Sequence, residues 1–124
     1  MKLLHTTLGT LALVALSNAI APMNAIAQQA TPSDTVTRVV SDDFVALASE
    51  AIADGDYHNA VYHANKALDI DTELAAAYLV RGQALIHLEE RDAAIADLEK
   101  AANLYLSQNN LVGHQIALES LSGV

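Results

Sequence analysis

Five histidines, fifteen acidic residues and no cysteine bound the chemistry open to this chain of 124 residues. His58 and His63 stand five apart on one predicted helix, so they point in different directions. A helical zinc motif spaces its ligands four apart, on one face. His87 falls near the end of a predicted third helix, and His114 on the stripe of a predicted last one. This scatter reads as surface and packing histidines, with a metal-binding domain using His58, His63 or His87 as the alternative. No cysteine is present to act as a nucleophile, and no serine or aspartate sits in a nucleophile turn or a Gly-rich phosphate loop. The pairs Asp42-Asp43 and Glu89-Glu90 are adjacent at helix starts or ends. Their expected duty there is capping and solvation. The chain is therefore expected to be no enzyme, with no catalytic residue, metal or cofactor.

With catalysis set aside, the question becomes which elements could present a binding surface. The chain allows one small domain. Over half its residues are apolar, yet it has one Phe and four Tyr, so a core must come from Ala, Leu, Val and Ile. Residues 1–27 read differently from the rest. Lys2 supplies a positive start, Leu8 to Ile20 is an apolar run, Pro22 breaks any helix, and Ala25-Ile26-Ala27 offers small residues before Gln28. This is the layout of a secretory signal peptide, cleaved after Ala27 or, as the lesser possibility, after Ala19. The apolar run is shorter than the ~20 residues a spanning helix needs. A periplasmic or secreted protein is expected, without a membrane anchor. Lys2 is one of six basic residues, so the remainder carries five against fifteen acidic. So acidic a surface repels nucleic acid and anionic membrane, and suits a basic protein partner.

Residues 28–40 are expected to form a flexible leader or an N-terminal helix extension. Val36, Val40, Phe44, Leu47 and Ala51 recur at helical steps, with Ser41-Asp42-Asp43 as the expected helix start. Gly55 and Asp56 end that helix and cap the next, Tyr57 to about Ile70, which must fold back antiparallel. Asp71 and Thr72 offer a cap for a third helix over 73–89, followed by helices over about 91–107 and 111–121. The segment Phe44 to Leu68, moved forward 34 positions, lies on Tyr78 to Ala102 without a gap. Ile52, Ala60, Lys66 and Ala67 fall on Ile86, Ala94, Lys100 and Ala101; Ala48 falls on Gly82. Packed helices lie ~8–10 Å apart, and small residues at the contacts set the short end of that range. A fixed period of this length marks stacked helix pairs.

These residues resemble the tetratricopeptide repeat family, whose unit is an antiparallel helix pair with small residues at its closest approach. Phe44, Leu47, Ala48, Gly55-Asp56-Tyr57, Ala60, Ala67 and Leu68 match it in residues 41–74. Tyr78, Gly82, Ala94, Leu98 and Ala101 match it in residues 75–108. The usual proline between repeats is replaced by Thr72 and Leu106, and Glu89-Glu90-Arg91 stands in place of the Gly-containing turn. The resemblance implies an all-α fold, with antiparallel helix pairs stacked as a short right-handed solenoid and residues 109–124 as a capping helix. It also implies a groove lined by the first helix of each pair. Here the groove would take Val45, Ser49 and Ile52, with Asp42 beside them, and Leu79, Gln83, Ile86 and His87, with Ala76. This mixture suits a hydrophobic peptide or a partner helix, and lacks the Lys, Arg and Asn with which family members hold chaperone tails. The expected function is a non-catalytic protein- or peptide-binding adaptor or scaffold. The alternative is a self-associating module that completes its solenoid by stacking, as a homo-oligomer.

Overall fold

The computed structural model describes residues 32–124, where five helices and no strand are found among the described residues. They are α1 (Pro32–Ala53), α2 (Tyr57–Ile70), α3 (Ala75–His87), α4 (Arg91–Ser107) and α5 (Leu111–Ser122). The expected signal peptide, its cleavage sites and residues 28–31 of the leader lie outside the described residues. Val36–Val124 cluster as one compact unit, and the packing below is that of this unit.

α1 is the element that departs most from expectation. It begins at Pro32, where a missing N–H costs a helix nothing. Val36–Val40 is therefore a helical extension, the second of the two alternatives for residues 28–40, and Ser41 does not start the helix. Ser41 is fully buried within α1, and its hydroxyl donates to the Arg38 carbonyl at 2.9 Å. A serine satisfied on its own preceding turn packs as a small residue in a helix interior.

Three of the four connections are the same turn. Gly55 N–H donates to Ile52 and Asp56 N–H to Ala51; Glu89 donates to Ile86 and Glu90 to Leu85; Asn109 donates to Leu106 and Asn110 to Tyr105. Each pair of bonds is a Schellman closure around one residue in the left-handed region. That residue is Gly55 at φ 77°, Glu89 at 63° and Asn109 at 57°. Asp56 then caps α2 by accepting from Asn59 N–H at 3.2 Å, and Asn110 caps α5 by accepting from Gly113 N–H at 2.9 Å. The α2–α3 connection differs. Asp71 is extended and its carboxylate accepts from Glu73 N–H at 3.0 Å, so α3 starts at Ala75, two residues beyond the expected position. Tyr78 ties this link down by donating to the Thr72 carbonyl at 2.9 Å.

Among the described residues, twelve of the fifteen buried apolar ones are alanine, so the helices meet nearly backbone to backbone. Ala48, Ala64 and Val80 join α1, α2 and α3; Ala51, Ala60 and Ala84 do so again one turn on; Ala67, Leu68 and Ala77 close the far end beneath Phe44. Ala101, Ala102 and Ala117 join α4 to α5 against Tyr78, Leu79 and Tyr105. The residues 34 apart, Ala48 and Gly82, Ala60 and Ala94, Ala67 and Ala101, are all buried. Two glycines mark the tightest approaches. A Cβ on Gly82 would lie 2.8 Å from Leu98 Cγ, and one on Gly113 would enter the Tyr105 ring. The fold is thus all-helical, with adjacent helices packed in pairs.

Candidate peptide-binding surface

The residues expected to line a groove divide by helix. On α1, Val45 and Ile52 are half-buried against the alanine clusters, while Ser49 between them is exposed and donates to the Val45 carbonyl at 3.0 Å. Their spacing puts all three on one face, with exposed Asp42 at its N-terminal end. On α3 the four residues go three ways. Leu79 packs on Ala101, Ala102 and Ala117, and the Gln83 amide donates to Ser120 Oγ at 3.4 Å, so both are turned to α5. Ile86 lines an open pocket of about 430 Å³ with Glu89, Arg91, Gly123 and Val124. His87 lies flat on Tyr57, with ring centroids 4.2 Å apart and planes 6° apart. The α1 residues share a surface with one another, and the α3 residues divide between the last helix, a pocket and a ring stack.

The other histidines are also placed. His63 stacks on Phe44 and meets the edge of Tyr62, and its buried Nδ1 has no hydrogen-bond partner. His114 Nδ1 donates to the Ala102 carbonyl at 2.8 Å, which puts the ring proton on that nitrogen. His58 is exposed. Among the described residues no group of three His, Cys, Asp or Glu stands close enough to share a metal ion.

The polar centre of the molecule is one that pattern reading passed over. Arg81 of α3 grips Asp97 of α4 through two parallel bonds, Nε to Oδ2 at 2.6 Å and Nη2 to Oδ1 at 2.7 Å. Its remaining Nη1 donates to Asn65 Oδ1 of α2 at 2.8 Å, and the guanidinium also lies 5.5 Å from the Tyr78 ring. Hydrogen bonding to Asp97 raises the Arg81 pKa above its ordinary value, and burial partly opposes it. One side chain thus ties three helices. The signal was available: Asp97 stands on the inward stripe of α4 beside Ala94, Leu98 and Ala101, and a charge there needs a partner. Thirty-four residues earlier the same two positions hold Leu47 and His63, so a comparison of the two units points away from the pair.

Two apolar surfaces remain open. Leu111, Val112, Ile116 and Leu118 of α5 are each at least 42% exposed, beside Leu106. Val36, Val39, Val40 and Leu47 of α1 are each at least 40% exposed. No helix among the described residues is long and apolar enough to cross a membrane. No protein-family model matches the chain, and no curated protein matches it.

Proposed function

We propose that the chain is an exported, non-catalytic adaptor of tetratricopeptide type, which holds a peptide or helix of another protein on the face of α1 that carries Val45, Ser49 and Ile52. The reading rests on that face: two half-open aliphatic side chains flank an exposed hydroxyl whose hydrogen bond is already made within its own helix. An apolar floor with few polar groups suits an apolar peptide segment. The 34-residue period and the repeated turns at Gly55 and Glu89 support a right-handed stack of two helix pairs, with α5 as its cap. Export would be directed by residues 1–27 and completed by cleavage after Ala27, and the protein would then work in the periplasm or outside the cell. A photo-crosslinking residue at position 49, expressed in whole cells, is expected to capture a protein that a crosslinker at exposed position 58 does not. Identical captures from both positions would count against the reading.

A second reading is favoured by α5, whose open stripe carries four large aliphatic side chains and a single charge, Glu119. Such a face suits stacking against another copy. Sedimentation equilibrium is expected to show association that Val112→Glu abolishes. A strict monomer at high concentration would remove this second reading and leave the first intact.

A further inference from the structure

The second helix pair displays what the matching face of the first pair lacks. α2 rides on α3 along Ala77, Val80 and Ala84, which meet Ala67, Ala64 and Ala60 in turn, while Arg81 reaches Asn65. Thirty-four residues earlier these α3 positions are Asp43, Ala46, Glu50 and Leu47 of α1, and all four are exposed. The face that receives a helix in the second pair is bare in the first. It lies on the opposite side of α1 from Val45, Ser49 and Ile52, since the two sets fall about half a helical turn apart.

Two features indicate what would cover it. α1 runs nine residues further toward the N-terminus than the start of α3 would require, because Ala75 corresponds to Ser41. That extension holds Val36, Val39 and Val40, 62%, 54% and 40% exposed. Valine is a poor helix former, and here these three leave much of their apolar surface uncovered. The second feature is charge. Asp43 and Glu50 are two turns apart with Leu47 between them, and neither carboxylate has an ion-pair partner among the described residues. Alanines fill their positions on α3.

We propose that this face of α1 docks a helix from a different protein, one presenting an apolar stripe bordered by lysine or arginine. The apolar stripe would lie on Val36, Val40 and Leu47, and the basic borders would reach Asp43 and Glu50. The open stripe of α5 in a second copy does not meet this description, because it carries no basic residue.

The test uses the full chain with labelled methyl groups and a synthetic amphipathic helix of about 18 residues, five turns, with Leu on one stripe and Lys on its borders. A mirror peptide carries Glu in place of Lys. The Lys peptide is expected to shift the methyl signals of Val36, Val40 and Leu47, and the Glu peptide is not. Asp43→Lys with Glu50→Lys should weaken the Lys peptide roughly tenfold, the effect of reversing two exposed charge pairs, and admit the Glu peptide. Asp69→Lys with Glu99→Lys, which removes the same charge elsewhere on exposed positions, should leave binding unchanged. Equal loss in both double variants would mean attraction to the overall negative charge, and would overturn the site. Shifts at Val45 and Ile52 instead would support the groove and overturn this face. Shifts at Leu47 on raising protein concentration alone would make a second copy the occupant, and would also overturn the proposal.

Discussion

Glu89 holds a backbone conformation, φ 63°, that an L-residue adopts only at a cost of about 1–2 kcal/mol. Its counterpart Gly55 takes φ 77° without that cost. Glu89→Gly is therefore expected to stabilise the protein by about 1 kcal/mol, read as a rise in the urea midpoint at unchanged slope. An unchanged midpoint would show that the turn is relaxed in solution. Gly82 makes the opposite demand. Its absent Cβ leaves room for Leu98, which is fully buried, so Gly82→Ala should cost roughly 1–3 kcal/mol through overpacking. Combined with Leu98→Ala, the two losses should add to less than their sum, because the second change removes the atoms the first collides with. Strict additivity would place the strain elsewhere. The small residues at the contacts were legible from their spacing. The turn at Glu89 was not, because its sequence carries no glycine, and only the two carbonyls it closes on identify it with the turn at Gly55.

Between elements, side-chain volume and charge act separately. Ala60 and Ala94 are fully buried at matching points of α2 and α4, and Ala60→Leu or Ala94→Leu should each destabilise by about 1–3 kcal/mol. A melting temperature that does not move would contradict the close approach of the helices. Arg81→Met leaves Asp97 buried without its partner and should cost roughly 2–4 kcal/mol, toward the low side of the buried-pair range. The guanidinium side chain keeps 25% of its surface open, and that exposure moderates the loss. Arg81→Met with Asp97→Leu should recover most of it, since an apolar pair of similar volume leaves no stranded charge. No recovery in the double variant would mean that the Asn65 contact or the Tyr78 ring carries the stabilisation. Helix order and the antiparallel returns were readable from the 34-residue period. The start of α1 was not, because serine serves equally well as a cap or, bonded to its own preceding turn, as a helix interior residue. The local sequence at Ser41-Asp42-Asp43 does not distinguish these, and burial against neighbouring helices decides.

For the whole molecule, stability against pH has an alkaline limit set in part by Tyr105. Burial raises its pKa above the usual 10.0, so the folded state holds the phenol proton longer than the unfolded chain does. Between those two values the unfolded state has lost a proton that the folded state retains, and each step up in pH favours unfolding. The contribution is complete below 10.0 and is lost as pH rises through the raised value. Urea midpoints taken from neutral pH upward should fall less steeply once pH passes 10.0 for Tyr105→Phe than for the parent. Parallel curves would assign the alkaline limit to other groups. Function at this scale was less legible than fold, because periodicity identifies which residues face neighbours and says little about which faces stay open. Leu79 and Gln83 look equivalent to Val45 and Ser49 in the sequence, and only α5 makes them different. The way α5 is joined also bears on how such a chain can change length. α4 continues to Ser107, three residues past the position that corresponds to the end of α2, and α5 follows through a turn of the Gly55 kind rather than through a copy of the Asp71 link. A duplicated unit of 34 residues inserted between Leu74 and Ala75 would meet its own joint on both sides. The same unit added after α4 would meet a mismatched one. A joint that matches a further unit thus lies between Leu74 and Ala75, and the link after α4 does not match it.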